Sequence, residues 1–83
     1  MHQLKIKPKA EKELNSLPKK DYYKILSAFT YLQKDPYIGK KMKGECEGYY
    51  NYRVWPYRII YKILKKELVV LVIRIGHRQG IYH

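Results

Sequence analysis

The four arginines of the chain, Arg53, Arg58, Arg74 and Arg78, all fall in its second half, whereas its lysines are spread throughout. A guanidinium stays charged at any physiological pH and forks onto two phosphate oxygens, so this grouping points to chemistry on phosphate or a grip on it. If Trp55 and Pro56 form a two-residue turn, Val54 faces Tyr57 and Arg53 faces Arg58, and two like charges project from one side of a strand pair. Such a pair is destabilising unless an anion sits between the two groups. A proline at the second central position of the turn suits a cis peptide or a longer loop. The same alternation puts Tyr49, Asn51, Arg53, Arg58, Ile60 and Lys62 on one face, for which a merely solvated sheet surface is the alternative reading. Tyr50, Tyr52, Val54, Tyr57, Ile59, Tyr61 and Ile63 fall on the other face and read as core and rim in preference to base stacking. Beyond Gly76 come His77, Arg78 and Tyr82, a potential proton donor, phosphate clamp and stacking ring. A basic tail is the bland alternative there, and His83 is left unassigned.

Composition narrows the field. Eighteen Lys and Arg against seven Asp and Glu in 83 residues give a formal charge of +11, which makes a polyanionic partner the leading question. Residues 1–20 carry six basic and two acidic groups, residues 21–39 two of each, and residues 40–83 ten and three, so most of the surplus belongs to the second half. One cysteine, Cys46, forms no internal disulfide, which fits a reducing compartment. No Cys or His spacing matches a metal site, so neither a structural metal nor a metal-dependent nuclease is expected. The five glycines match no phosphate-binding loop, so nucleoside triphosphate and dinucleotide cofactors are set aside. The longest apolar run, Leu68 to Ile73, is far short of the roughly 20 residues that cross a bilayer. No membrane partner and no signal peptide are expected, and the chain reads as one cytoplasmic domain over residues 1–83.

The elements that must carry these side chains follow from periodicity. Residues 2–7 alternate and predict a short strand with Leu4 and Ile6 inward. Pro8 opens a helix with Ala10, Leu14 and Leu17 on one face, and Pro18 starts a second that runs to Lys34, with Tyr22, Ile25, Leu26, Phe29 and Leu32 as its stripe. Asp35-Pro36 stops it. Two antiparallel helices are expected. Residues 37–48 show no period and read as a loop holding the Lys40-Lys41-Met42-Lys43 run, with Ile38 or Met42 as anchor. From Tyr49 the period becomes two, predicting strands at 49–54, 57–64 and 68–75 in an antiparallel meander, with a strand stub at Ile81-Tyr82. The class is α+β: a short N-terminal strand, a two-helix hairpin, then an antiparallel sheet of three to four strands. Two helices cover one face of it, so function is sought on the other.

The run from Gly48 to Tyr61, with Ile75-Gly76-His77-Arg78 and Ile81-Tyr82 after a Val/Leu-rich strand, resembles the RelE/ParE toxin superfamily. The recurrent pattern there is G-Y-Y-R-x-R-V-G-D-Y-R-x-x-Y followed by G-H-R-x-x-x-Y, and the preceding strand, helices and Lys-x-Met-Lys-Gly loop keep the same order. The resemblance implies a RelE-like microbial RNase-type fold and the toxin of a type II toxin-antitoxin pair, held in check by a RelB-like antitoxin. RelE-like members are metal-independent endoribonucleases (mRNA interferases) that cut mRNA in the ribosomal A site. ParE-like members of the same fold inhibit DNA gyrase, and a non-catalytic RNA- or ribosome-binding module is a third reading.

By the same resemblance Arg53, Arg58, Arg78 and Tyr82 occupy catalytic positions. Arg58 and Arg78 would stabilise developing phosphate charge, Arg53 would position the backbone and Tyr82 would orient a base. His77 joins them as candidate acid or base. Asn51, Lys62, Lys41 and Lys43 are expected to bind RNA. Where family members place a lysine as base, this chain has Asn51 and Arg53, and arginine is a poor proton acceptor. Lys62 and Tyr82 are the substitutes. Trp55-Pro56 replaces the usual Gly-Asp turn.

Overall fold

The computed structural model describes residues 1–77. It contains strand β1 (Gln3–Ile6), helices α1 (Pro8–Asn15) and α2 (Lys19–Lys34), and strands β2 (Lys40–Lys41), β3 (Tyr50–Val54), β4 (Tyr57–Leu64) and β5 (Val69–His77). The strands form a single sheet in the order β1-β5-β4-β3-β2. Strand β1 runs parallel to β5, and the other three pairings are antiparallel. The expected Arg78, Ile81 and Tyr82 features lie outside the described residues.

The helices start where proline permits. Pro8 takes the first position of α1, where its missing N–H leaves no intrahelical bond unmade, and Pro18 is the N-cap of α2. Acidic Glu11 and Asp21 sit in the first turns and Lys12 and Lys34 in the last turns, each suited to the helix dipole. Asp35 ends α2 and accepts from Tyr37 N–H at 3.1 Å, turning the chain into a 3-10 segment over Pro36–Ile38. Ala10, Leu14, Ile25, Phe29 and Leu32 are buried against Tyr50, Val54, Ile59, Tyr61, Val70, Val72 and Ile75 of the sheet. This is the core, and it lies on the face that alternation assigned to helix packing.

The sheet is wider than the expected meander of three to four strands. Parallel pairing of Gln3 with Val69 joins segments far apart in the chain, and no local pattern announces it. Lys40–Lys41, read as loop, forms a two-residue strand opposite Asn51 and Tyr50. Two residues are too few to show a period.

Strand β1 stops short of the end of β5: Lys7 N–H donates to Val72 O at 3.0 Å, and beyond it β5 has a bare outer edge. Glu13 of α1 covers that edge. Its carboxylate accepts from Ile75 N–H at 3.0 Å and from the Arg74 guanidinium at 2.9–3.1 Å. An uncovered edge is a template for unwanted strand pairing, so this carboxylate protects as well as anchors. Glu13→Ala is expected to lower stability by about 1–3 kcal/mol, through the lost charged hydrogen bonds and the orphaned Ile75 N–H, as measured by urea unfolding.

Candidate nucleic-acid interface

The arginine pair is where the residue count placed it. Arg53 is the direct cross-strand partner of Arg58, and Val54 of Tyr57. Strands β3 and β4 are joined by Trp55 and Pro56 alone, through a cis peptide bond, and Lys24 Nζ of α2 donates to Trp55 O at 2.9 Å. On its other side Arg58 is paired with Gly76 of β5. A glycine there brings no side chain of its own beside the guanidinium. Arg53 is exposed and Arg58 half-buried. Ile60, next on the same face, is only 7% exposed, so the charged groups stand beside an apolar floor.

Beside the pair lies a groove of about 480 Å³ lined by Lys40, Lys41, Lys43, Asn51, Arg53 and Arg58, with Met42 and Cys46 completing it. Five cations and no carboxylate line it among the described residues. Strand β2 does this. By pairing Lys40 with Asn51 it brings the lysine run onto the sheet edge next to the arginines. Sequence reasoning named Lys41 and Lys43 and missed Lys40, whose position on this face could be read only once β2 was known to pair.

Tyr61 holds the lysine segment in place from beneath. Its hydroxyl donates to Pro36 O at 2.6 Å and accepts from Gly39 N–H at 3.1 Å, immediately before β2. A Cβ at residue 39 would collide with the Tyr61 ring, so the close approach requires glycine. The ring stacks on Tyr50 at 5.5 Å between centroids. Burial pushes the Tyr61 phenol up to about 12, opposed by the Gly39 N–H. Tyr57 is also raised, chiefly because its hydroxyl donates to Asp21 at 2.7 Å and ionisation would set a phenolate against a carboxylate.

Other expected site residues are elsewhere. Lys62 shares the strand and face of Arg58, but its Nζ lies 4.9 Å from the centroid of the Tyr49 ring, a cation–π contact, and it does not line the groove. His77 is exposed, and its ring meets Tyr57 edge-on at 6.0 Å. Tyr57 belongs to the helix-packed face, so His77 is turned away from the arginine pair, contrary to its expected place beside it. The cause is strand geometry: His77 pairs with Tyr57, and Arg58, one residue on, points to the opposite side. Arg74, counted with the sheet's arginines, is committed to Glu13. Arg78 and Tyr82 lie outside the described residues. Among those residues no three His, Cys, Asp or Glu side chains gather as a metal site would need.

Such a groove suits a single-stranded polyanion. Log affinity for single-stranded RNA should fall against log salt by roughly 0.7 per phosphate neutralised, so five groove cations predict a slope near about −3.5. Lys40→Ala should reduce it by about 0.7, as read by fluorescence anisotropy over a salt series.

Comparison with known proteins places the chain among toxins of toxin-antitoxin systems. The family described as ParE toxin of type II toxin-antitoxin system, parDE, matches residues 4–82. Toxin RelG of Mycobacterium tuberculosis is 31% identical over 75 residues, 88% of this chain and 86% of that protein. The toxin-antitoxin complex RelBE2 from Mycobacterium tuberculosis superposes with a TM-score of 0.87 at 26% identity, covering 93% of this chain and 98% of that one. The isolated Escherichia coli RelE toxin superposes with a TM-score of 0.83 at 23% identity, over 99% and 92%, a similarity of fold.

Proposed function

Because the chain belongs to the ParE toxin family of type II toxin-antitoxin systems, within the RelE/ParE superfamily, we propose that it acts as a metal-independent endoribonuclease on mRNA in the ribosomal A site. The observation that carries this reading is the Arg53–Arg58 cross-strand pair opening on a groove with five cations. Its partner in the pair is a RelB-like antitoxin, as in the toxin-antitoxin complexes it resembles, and its place of action is the cytoplasm.

In the proposed reaction the 2′-oxygen of one nucleotide attacks the adjacent phosphorus. The O2′–P bond forms, the P–O5′ bond breaks, and a proton passes from the 2′-oxygen to the 5′-oxygen, giving a cyclic phosphate and a 5′-hydroxyl. The crowded phosphorane between them gains negative charge, and Arg58 with Arg78 neutralises it where water is displaced. Arg53 and the lysines of β2 and its flank hold the neighbouring phosphates. Tyr82, as its phenolate, or Lys62, as its free amine, takes the 2′ proton. The contact between Lys62 and Tyr49 lies on the strand beyond the groove, which favours Tyr82.

Primer extension on translated mRNA is expected to show new stops within codons after induction, absent with Arg78→Ala. Tyr82→Phe should slow cleavage more than Lys62→Ala does. The matched family carries the ParE name, which supports a second reading, inhibition of DNA gyrase. A supercoiling assay inhibited by the protein, with no codon cleavage, would establish that reading instead.

A further inference from the structure

The groove beside the arginine pair, as the described residues build it, suits a phosphate backbone and offers no ring to a base. Its lining is five cations with Asn51, Met42 and Cys46, and no aromatic side chain belongs to it among those residues. Proteins that grip single strands without reading sequence combine such a positive groove with aromatic rings on which bases stack. The tyrosines of β3 and β4 do not fill this role. Tyr50, Tyr52, Tyr57 and Tyr61 pack on the helix side of the sheet, and the neighbouring Tyr49 carries Lys62.

Trp55 supplies the ring. It is the one tryptophan of the chain, it is 56% exposed, and it takes no part in the core. Turn chemistry does not account for it, because a two-residue connection favours glycine, asparagine or aspartate, and the superfamily pattern has Gly-Asp there. An indole combines a large apolar surface with a polar N–H and is enriched where a partner covers it. Its position fits such a partner. Asn51 of the groove, Arg53 and Trp55 follow one another at intervals of two residues, roughly 6–7 Å each on an extended strand. A backbone lying in the groove with a phosphate between Arg53 and Arg58 therefore brings a neighbouring base to the hairpin turn. Helix α2 fixes that turn from behind: Lys24 Nζ donates to Trp55 O at 2.9 Å, and Tyr57 donates to Asp21 at 2.7 Å. A platform anchored twice loses little freedom when a base settles on it.

We propose that Trp55 is a positioning residue, which stacks on the base of the nucleotide adjoining the phosphate held by Arg53 and Arg58. This rests on the reading of the groove as an RNA site given above, and adds to it the element that grips base instead of backbone. The ring accepts any base, since each has a π-face.

Because the chain has a single tryptophan, indole fluorescence reports from this position alone. The whole chain is titrated with a 2′-O-methyl RNA oligonucleotide, which 2′-oxygen attack cannot cleave, and with the same backbone carrying abasic residues. Saturable quenching of Trp55 emission is expected with the first and little with the second, at concentrations where anisotropy shows both bound. Trp55→Ala should weaken binding of the first about tenfold and leave the second unchanged, while Trp55→Phe recovers most of the loss. The slope of affinity against salt should be the same in Trp55→Ala as in wild type, since stacking on a ring releases no counterion. Equal weakening of both oligonucleotides by Trp55→Ala, as a purely structural role would give, would overturn the platform. So would binding of the first with no quenching. Absence of binding to either oligonucleotide would overturn the reading of the groove, and the platform with it.

Discussion

Arg58→Ala is expected to lower mRNA cleavage by about two to three orders of magnitude while leaving the fold intact. Removing one donor from a preorganised anion site costs that much in other enzymes, because the donor is worth most where water is excluded. Arg58 meets that condition better than Arg53. It is half-buried between Arg53 and Gly76, next to the buried Ile60, whereas Arg53 is exposed and more strongly screened. Arg53→Ala should therefore cost less, on the order of tenfold, and chiefly in binding. Arg58→Lys should recover only part of the rate, since an ammonium keeps the charge and loses the two-pronged fit. Single-turnover cleavage on programmed ribosomes measures all three. Full activity in Arg58→Ala, with an unchanged circular dichroism spectrum, would remove the arginine pair from the mechanism.

The second large effect concerns stability. Tyr61→Ala is expected to cost about 3–5 kcal/mol, since a fully buried aromatic ring leaves a cavity under the segment that holds the groove lysines. Tyr61→Phe keeps the ring but orphans Pro36 O and Gly39 N–H, for about 1–3 kcal/mol. Alkaline pH reaches the same contact. With the phenol raised from 10.0 to about 12 in the folded chain, its contribution is fully present below pH 10 and is lost as pH climbs through about 12. Two pH units correspond to about 2–3 kcal/mol. Urea midpoints at pH 8 and at pH 11 should converge between wild type and Tyr61→Phe. A constant difference across that range would show that the hydroxyl does not titrate with unfolding.

Much of the site could be read because it is local. Arg53 and Arg58 are separated by four residues with a turn at the centre, so counting outward from Trp55-Pro56 fixes their pairing and the period of two fixes their face. The Tyr50, Ile59 and Tyr61 core face comes from the same count. What depends on distant pairing was not legible. Lys40 joins the groove only because β2 pairs with β3. His77 faces away because of its register with Tyr57, which no motif records. A register shift opposite Ile60 and Tyr61 also interrupts the alternation along β5, so a strict period extended through Arg74 would assign the later residues of that strand to the wrong face. Arg74 itself looks like the other arginines in the sequence, and its bond to Glu13 spans most of the chain.

The parallel pairing of β1 with β5 bears on how the protein is made. Gln3–Ile6 emerges early in translation, yet its sheet neighbour, Val69–Val72, is synthesised much later. The hairpin that bears Arg53 and Arg58 can form before then, but β1 has no strand to pair with until β5 is made, and Glu13 has no strand edge to cover. A nascent chain interrupted before Val69 thus holds the arginines without the finished sheet that positions them. Completion of the sheet is tied to translation through β5, and such long-range closure is the slow step expected of its folding.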